Sequence, residues 1–584
     1  MSKNNKEFIV LDLFDVIMKL YVMEYKDIFT FLEFEFHKIF EDKTFFKFAE
    51  VRNLEENKNI NLNKIYENIS QKYNLDIKKL EIIKEKEIEI IINLCEERNN
   101  IKKLIKNKNV IIYSKKSYTI DTIKRIITKS SIKNIYSFEF LYDYKDIKAL
   151  IKSLKNKYNK IHFVSSNWED IQICIDEKID YKFYPKCTDI FMGYINECDV
   201  KDIGLITKKV QNNYIDMERY TEITGVRCSI ALIANKFFDN TNSKYDITPQ
   251  IVGYYFLGMH LISICNWLKE ISNDNQKIIF LSRDGYLVKR AYEIFKEGAT
   301  TNYLYTSRKA YIPLIIETKS DMYFLNKILN IKHQNMKSLI NLLKPILNIP
   351  KKIEYKEEYI NLQNEQEFEN AITFLTKYFD KEKRNKYCEK VFQYLYDIIE
   401  ENNLIFDIGY SAYFEYILNE KLKCKVDAAF IHTNNSTAYN NSHIGKEKFK
   451  IHNFYDFKPK YSGTLRELLI SDTGASCTGY KISNEKAVPI LDKKSELKNK
   501  QKEKIELIQD SSIEFIRDFK EKFDDLIEYI DFNKYFMSLP FEFFMHKTKK
   551  EDKIKLLGKK FIFEVNDNEI VNLIDDWENN SKEV

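Results

Sequence analysis

The stretch IVLDLFDVIMKLYV, residues 9–22, is an apolar run interrupted by two acidic residues, Asp12 and Asp15. The apolar residues before Asp12 predict a buried strand that ends at this carboxylate. Charged side chains are rarely buried without a partner, so a carboxylate here either belongs to a site or caps the strand and its loop. The stretch therefore predicts the first strand of a buried sheet, with two carboxylates at its end.

Further apolar segments in the first 200 residues alternate with amphipathic ones. NVIIYS (109–114) and NKIHFVSS (159–166) predict short strands, and each is followed by a helical pattern. Residues from about 23 to 100 are mostly helical in pattern, with charged residues on the exposed face. Strands that alternate with helices imply a parallel sheet with crossover helices. We predict an α/β domain over residues 1–200.

A second series of strands and helices begins near Ile247 and predicts a second α/β, Rossmann-like domain over residues 246–490. We expect a helical insertion at about 318–400, a helical connector at 201–245 and a helical C-terminal region at 491–584. The segments that carry the second domain are KIIFLSRDGYLVKRAYEIF (277–295), NYLYTSRKAY (302–311), NLIFDIGYSAYFEYILNEKL (403–422) and KVDAAFIHTNN (425–435).

The charge balance and the cysteine pattern narrow the class of protein. Lys and Arg number 93 against 88 Asp and Glu, a formal net charge of +5, which does not indicate nucleic acid or an anionic membrane as partner. The nine cysteines include no CxxC pair, as expected for reduced thiols of a cytoplasmic protein. The eight histidines show no HxxxH spacing, so we do not expect a zinc site.

The segment from Ile247 to Leu268 carries no formal charge and is long enough to span a bilayer. It contains polar residues such as His260 and Asn266, which are costly in lipid. We therefore expect a buried core helix and no transmembrane segment.

The landmarks of the first half occur in a recognisable order: a strand ending in Asp12, a helical block, a strand ending in Ser114, and a strand ending in SSNWED (165–170). This order resembles the haloacid dehalogenase-like (HAD-like) superfamily, and the helices between about 20 and 105 resemble its helical cap. DLFDVIM resembles the DIFDTLL motif of the large two-domain HAD-like proteins of bacterial surface-polysaccharide gene clusters. The resemblance implies a HAD-like Rossmannoid fold for the first domain.

The resemblance also assigns roles to particular residues. It implies that Asp12 is the nucleophile and a ligand of Mg²⁺, that a nearby acid such as Asp15 acts as general acid/base, and that Ser114 holds the phosphoryl group. Asp170 would complete the metal site, because Mg²⁺ prefers carboxylate oxygen.

Several positions depart from the HAD-like pattern. Phe14 stands two places after Asp12, where the usual acid transfers a proton, and Lys115 and Lys116 follow Ser114. Ser165 and Ser166 stand where the metal motif has Gly-Asp, and Lys145 is the candidate for the lysine that stabilises the phosphoryl charge. We therefore expect a degenerate phosphatase site, with hydrolysis that uses Asp12 as the alternative. A purely structural role of Asp12 and Asp15 also stays open.

The resemblance continues through the second half, to about residue 485. FLSRDGYLVK, LYTSRKA and FDIGYSAYFEYI resemble three motifs of the same group, although Lys309, Tyr410 and Ala412 stand where that group has Arg, Trp and Gly. The match implies a role in cell-surface polysaccharide biosynthesis without naming a reaction.

The loops of the second domain predict an anion site. Strand-to-helix loops offer free backbone N–H groups, and the carboxyl ends of parallel strands converge on one crevice. We expect a phosphorylated sugar or sugar-nucleotide as ligand, with a glycine that allows a positive φ angle at 285 and a histidine at 432 that is either a general base or structural. The predicted substrate-binding residues are Ser114 of the first domain together with Arg283, Asp284, Gly285, Ser307, Arg308, Asp407, Gly409 and His432.

A structural alternative also remains for these loops. The pairs Arg283–Asp407 or Asp284–Arg308 would, as buried ion pairs, only lock the loops together. The protein would then be a non-catalytic scaffold or regulator of glycosyltransferases rather than an enzyme.

Overall fold

A computed structural model describes the chain in two compact units. The first comprises Met1–Lys201, Asp216–Asp246 and Asp518–Phe536, and the second comprises Asp202–Ile215, Ile247–Arg517 and Met537–Val584. The described residues are 4–58, 61–106, 108–130, 132, 140–141, 146–197, 223–240, 243, 245–329, 333–350, 359–444, 448–456, 464–493, 497–565 and 569–581.

The first unit is built on a parallel sheet. Within the described residues its strands are β1 (Asn4–Asp12), β2 (Asn109–Tyr113), β3 (Phe140–Leu141), β4 (Tyr158–Ser165) and β5 (Asp180–Phe183), in the spatial order β3-β2-β1-β4-β5. Asp12 pairs with Tyr113, and Leu11 pairs with Val164. The second half of β1, from Phe8 to Leu11, is apolar and buried, as expected for a central strand of a parallel sheet. The chain therefore reverses its winding direction between β1 and β4.

Helices account for most of the rest of the first unit. The helical block expected between residues 20 and 105 is present, together with a short antiparallel pair, Met18–Leu20 with Cys95–Glu97. Most of the connector expected at 201–245 lies outside the described residues; its described part forms the helix Thr224–Phe237. The α-helices of the unit are Asp27–Ile39, Phe48–Lys58, Leu62–Tyr73, Ile77–Asn93, Ile101–Ile105, Ile120–Ile127, Ile147–Lys157, Trp168–Asp176, Cys187–Glu197 and Thr224–Phe237.

The second unit has its own parallel sheet. Within the described residues its strands are β6 (Ile278–Leu281), β7 (Thr301–Leu304), β8 (Leu404–Asp407), β9 (Asp427–Phe430) and β10 (Ile451–Asn453), in the spatial order β10-β9-β8-β6-β7. All neighbouring pairs are parallel. The winding direction reverses between β6 and β8, and in such sheets ligands bind at the carboxyl ends of the strands on either side of this switch point.

An antiparallel hairpin, β11 (Ser476–Ser483) with β12 (Lys486–Asp492), follows the sheet of the second unit. The insertion expected at 318–400 contains helices and a short strand pair, His333–Asn335 with Tyr359–Asn361. Among the described residues, the later α-helices that lie wholly or partly in the unit are Tyr286–Phe295, Arg308–Ile315, Leu325–Leu329, Met336–Leu343, Glu365–Thr376, Lys381–Tyr396, Tyr413–Lys421, Asn435–Ile444, Thr464–Ile470, Asn499–Phe523, Lys534–Lys547, Lys550–Leu557 and Leu573–Ser581. Residues 518–523 and 534–536 of these helices belong to the first unit.

The first helix of the second unit, Pro249–Ile271, is the one described helix that is long and apolar enough to cross a membrane. Within its most apolar stretch, 94% of the residues are buried inside the structure, as in the core helix of a globular protein. Its glycines allow close packing, since a Cβ on Gly253 would lie 2.0 Å from the carbonyl oxygen of Ile508.

The expectation of an α/β chain with parallel sheets is confirmed.

Candidate functional site

The switch point of the first unit holds Asp12, at the end of β1, and Ser165, at the end of β4. Asp12 is buried, and burial raises its pKa to about 7, while the charge of Lys115 acts in the opposite direction. Its Oδ1 accepts a long hydrogen bond, 3.3 Å, from the backbone N–H of Phe14. A nucleophilic carboxylate must be ionised, so this environment does not favour attack on phosphate near neutral pH.

Asp170, the other predicted metal ligand, is already engaged on both oxygens. Lys115 Nζ lies 2.6 Å from Oδ1, and the Ser165 hydroxyl donates to Oδ2 at 2.8 Å. The Lys115 ammonium thus already neutralises a carboxylate that the HAD-like resemblance implies as a ligand of Mg²⁺. The described residues hold no group of three or more His, Cys, Asp or Glu side chains suited to a metal ion. The side chains around Asp12 therefore do not fit Mg²⁺.

The remaining residues predicted in the first unit have local partners. Asp15 adopts a positive φ of 68° and pairs with Lys186 at 3.1 Å. Ser114 Oγ accepts from the backbone N–H of Lys116 at 3.1 Å, which closes a turn. Lys145 lies outside the described residues. A cavity lined in part by Asp15 and Lys186 measures about 10 Å³, room for about one water molecule and not for a sugar phosphate.

The switch point of the second unit is open. The loops after β6, β7 and β8 surround a cavity of about 350 Å³. This volume lies within the range of small-molecule sites, and its lining is mainly polar. The structure brings together in this crevice six of the residues predicted from the sequence: Arg283, Asp284, Ser307, Arg308, Asp407 and Gly409.

The structure assigns Gly285 a packing role. Its φ is −79°, so the expected positive φ is wrong. A Cβ at this position would meet Phe280 Cβ at 2.8 Å and the carbonyl oxygen of Leu281 at 2.9 Å, so the helix Tyr286–Phe295 starts close against β6. Glycine is required for this close approach.

His432 is buried behind the crevice. Its ring packs on Tyr410, with 4.5 Å between ring centroids, and Tyr410 rather than His432 lines the cavity. The carbonyl oxygen of His432 lies 2.3 Å from the position that a Cβ on Gly409 would take, which explains the glycine there. The histidine therefore shapes the wall of the crevice through its backbone and its ring.

Four carboxyl groups line the crevice, and sequence reasoning identified only two of them. Asp284 and Asp407 were predicted, whereas Glu415 and Glu467 come from the helices Tyr413–Lys421 and Thr464–Ile470. Glu415 lies in the helix that directly follows the Asp-Ile-Gly loop, and this proximity of an acid to a loop motif was the available signal. Glu467 lies in the segment RELLISDTG (466–474), far along the chain from these loops.

Burial and mutual repulsion change the proton affinity of these acids. Burial raises the pKa of Asp407 well above its ordinary value, and the charges of Asp284, Glu415 and Glu467 add to this effect. Burial likewise raises the pKa of Glu415 to about 7. The crevice therefore holds carboxyl groups that keep a proton at or near neutral pH, which suits a hydrogen-bond donor or general acid.

Glu467 and Asp284 carry hydrogen bonds that orient them. Burial and the charge of Asp284 raise the pKa of Glu467 to about 7, although the Tyr410 hydroxyl donates to Glu467 Oε1 at 2.7 Å. Burial also raises the pKa of Asp284, against a hydrogen bond from the Ser471 hydroxyl. These bonds hold the two acids in place before any ligand arrives.

Two arginines add positive charge to the crevice. Burial raises the pKa of Asp284, and the charges of Arg283 and Arg308 offset part of this rise. Arg283 Nη1 also donates to the carbonyl oxygen of Gly474 at 3.4 Å. Ser307 starts the helix Arg308–Ile315 as its N-cap, so Arg308 is held at a helix N-terminus. The alternative in which these charges only lock the loops stays open.

The arrangement combines guanidinium groups, which bind phosphate through parallel hydrogen bonds, with carboxyl groups, which bind hydroxyls. Comparison with protein-family models and with curated protein sequences found no match to this chain.

Proposed function

We propose that the second unit binds a phosphorylated sugar or a sugar-nucleotide in the crevice between β6 and β8. The observation that carries this proposal is a cavity of about 350 Å³ at the switch point that two arginines and four acids line together. Ligands of doubly wound sheets bind at this place, and a phosphosugar matches both kinds of side chain.

The ligand's two halves suit different parts of the lining. The phosphate pairs with the guanidinium groups of Arg283 and Arg308, whose planar donors match phosphate oxygens. The sugar hydroxyls donate to ionised carboxylates and accept from protonated ones. The acids are costly to bury without partners, so a ligand rich in hydroxyls relieves that cost.

If the crevice is catalytic, its acid–base residues are Asp407 and Glu467. The raised pKa of Asp407 keeps its proton available to a leaving oxygen, and Glu467, with a pKa of about 7, is poised to accept one. The reaction class is then transfer or hydrolysis at the sugar phosphate.

The wider assignment follows the motif resemblance. We place the chain with the large HAD-like proteins of surface-polysaccharide gene clusters, in which glycosyltransferases are the natural neighbours. Ala412 supports the resemblance, because it adopts the left-handed conformation, φ 59°, at a position where that group has glycine. The ion pair of Lys115 with Asp170 speaks against the alternative of hydrolysis by Asp12.

Isothermal titration of the full-length protein with a panel of sugar phosphates and sugar-nucleotides, without added metal, tests the proposal. We expect at least one panel member to bind, and Arg308→Gln and Asp407→Asn to weaken that binding by about tenfold or more. Arg290→Gln is the matched control, because Arg290 forms a surface pair with Asp510 and does not line the crevice.

Two results would contradict the proposal. If no panel member binds, the scaffold alternative takes its place. If Arg290→Gln weakens binding as much as Arg308→Gln, the anion is held by general surface charge and not in the crevice.

A further inference from the structure

A second concavity of the second unit is larger than the crevice and is lined by many lysines. It measures about 890 Å³ and lies between the hairpin β11–β12 and the helices of the insertion. Among the described residues, five lysines line it, Lys309, Lys344, Lys383, Lys386 and Lys390, against one acid, Asp492. We call it the lysine groove; the proposed function does not use it.

The lysines of the groove share one helix face. Lys383, Lys386 and Lys390 recur at three- and four-residue spacing on the helix Lys381–Tyr396, so their side chains project in the same direction. Lys386 pairs with Glu382 at 2.7 Å, but both side chains are well exposed, so the pair is weak and open to exchange for another anion. Lys383 donates to the backbone carbonyl of Lys344 at 3.0 Å, which joins two walls of the groove.

The floor of the groove is held by two tyrosines. The Tyr387 hydroxyl donates to the carbonyl oxygen of Ala310 at 2.8 Å, and that of Tyr480 donates to the carbonyl oxygen of Tyr305 at 2.7 Å. Gly479 leaves room for the Tyr387 ring, which lies 3.4 Å from the position of an added Cβ. The groove is thus shaped by buried contacts and does not depend on exposed side chains alone.

The hairpin also brings aliphatic residues to the groove, which we call its aliphatic wall. Ile490 and Leu491 of β12 line the groove and are exposed by 41% and 42%. Lysines alone would suit any anion. Lysines that face an aliphatic wall suit an anion that carries a hydrocarbon chain.

We propose that the lysine groove binds a single amphiphilic phosphate, a phosphate or diphosphate head joined to an alkyl or isoprenoid chain. The lysines hold the head, and Ile490 and Leu491 cover the first part of the chain. Charge complementarity and the aliphatic wall favour this ligand over a free phosphate, which would leave the apolar surface in water. The inference concerns a different cavity from the proposed function and does not rest on it.

Binding of dodecyl phosphate to the full-length protein below its micelle concentration tests the inference, with dodecyl maltoside and inorganic phosphate as separate probes. We expect dodecyl phosphate to bind at least roughly tenfold more tightly than either probe, because only it uses both walls. The double variant Lys386→Glu/Lys390→Glu should lose roughly tenfold in affinity, and Leu491→Thr should lose severalfold while keeping a residue suited to a strand.

The control is Lys381→Glu, which makes one of these two charge reversals on an exposed residue of the same helix that does not line the groove. Equal losses in Lys381→Glu and in the double variant would overturn the inference, as would equal binding of dodecyl maltoside or of inorganic phosphate. Binding to phosphatidylglycerol vesicles without binding of monomeric dodecyl phosphate would mean that the groove contacts a membrane surface. That result would overturn the inference as well.

Discussion

Lys115 decides the character of the switch point in the first unit by the position of its ammonium group. Its Nζ lies 2.6 Å from Asp170 Oδ1, and its charge also opposes the rise in the pKa of Asp12. The carboxylates are thus neutralised by a cation of the protein itself, without a metal ion. The same ammonium therefore repels a divalent ion that Asp12 and Asp170 would otherwise attract.

Replacing this lysine should allow a metal ion to bind between Asp12 and Asp170. We expect Lys115→Met to bind Mn²⁺ at least roughly tenfold more tightly than the unchanged protein, because Asp170 loses its cation and both carboxylates become available. Electron paramagnetic resonance of free Mn²⁺ during a titration measures this directly. Lys148→Met, which removes an exposed lysine of the helix Ile147–Lys157, should change nothing; equal Mn²⁺ binding by the unchanged protein would contradict the argument.

Glu415 makes stability depend on pH. Its folded-state pKa is about 7 against an ordinary value of 4.5, so between these values the folded chain holds more protons than the unfolded chain. Stability from this residue is therefore complete below about pH 4.5, falls as the pH rises towards 7, and stays low above it. One carboxyl oxygen of Glu415 has no hydrogen-bond partner among the described residues, which adds to the cost of its charge.

We expect Glu415→Gln to stabilise the second unit at pH 8 by up to about 3 kcal/mol and to have little effect at pH 5. Thermal unfolding at the two pH values measures the difference. Glu420→Gln, on the same helix, is a useful comparison because its pairing with Lys423 is partly exposed. A stabilisation of equal size at pH 5 and pH 8 would show that the Glu415 carboxyl does not titrate in this window.

At the scale of elements, the strands were predictable and their surroundings were not. Apolar runs that end in a polar residue marked β1, β2, β4, β6 and β8, because a strand buried on both faces needs such a run. The same reasoning placed Arg283, Asp284 and Asp407 at one edge of a sheet. It did not find Glu467 or the hairpin β11–β12, since their positions depend on contacts between residues far apart in the sequence.

Gly285 and Lys115 show a second limit of prediction from the sequence pattern. Gly285 after Asp284 suggested a special backbone angle. The structure shows instead that glycine is needed there because a Cβ would collide with Phe280. Lys115 after Ser114 was interpreted as a departure from the catalytic motif. Its ion pair with Asp170 depends on the fold, which places the ends of β2 and β4 at the same edge of the sheet. Side-chain pairing across strands has no local signature in the sequence.

The packing of the helix Pro249–Ile271 gives a prediction at this scale. An alanine at 253 would place its Cβ 2.0 Å from the carbonyl oxygen of Ile508 and 2.7 Å from Ser511 Cβ, so the helix Asn499–Phe523 would have to shift. We expect Gly253→Ala to lower the free energy of unfolding of the second unit by about 1–3 kcal/mol or more. Chemical denaturation measures the change.

The matched control is Gly193→Ala in the helix Cys187–Glu197, where an added Cβ meets nothing within 4 Å. That exchange should be neutral or stabilise by up to about 1 kcal/mol, since alanine is the better helix former. A neutral Gly253→Ala would mean that the two helices do not approach as closely as the structure indicates.

At the scale of the whole molecule, the first unit is assembled from distant parts of the chain. Residues 216–246 and 518–536 belong to it together with the first 200 residues, which no change of composition indicated. Asp239 is the clearest link. It lies 2.9 Å from Arg98 Nε and 3.1 Å from Lys19 Nζ, and all three side chains are buried.

Removing this carboxylate should therefore destabilise the first unit strongly. Asp239→Asn leaves the buried Arg98 without this counter-ion and leaves Lys19 with Glu96 alone, 3.4 Å from its Nζ, so we expect a loss of about 3–5 kcal/mol in the free energy of unfolding. Denaturation of the full-length protein followed by tyrosine fluorescence measures the change, with Asp518→Asn as the matched control. Asp518 pairs with Lys236 at the surface at 3.0 Å, so its loss should cost less than about 1 kcal/mol.

The same ion pairs predict the behaviour of a shortened chain. Residues 1–200 alone would contain Lys19 and Arg98 without Asp239, and the apolar face of the helix Thr224–Phe237 would be missing as well. We expect this fragment to lack cooperative unfolding, whereas residues 1–246 should regain part of it because the buried charges are again paired. A fragment of 1–200 that unfolds in one sharp transition would show that the sheet of the first unit is stable without these distant segments.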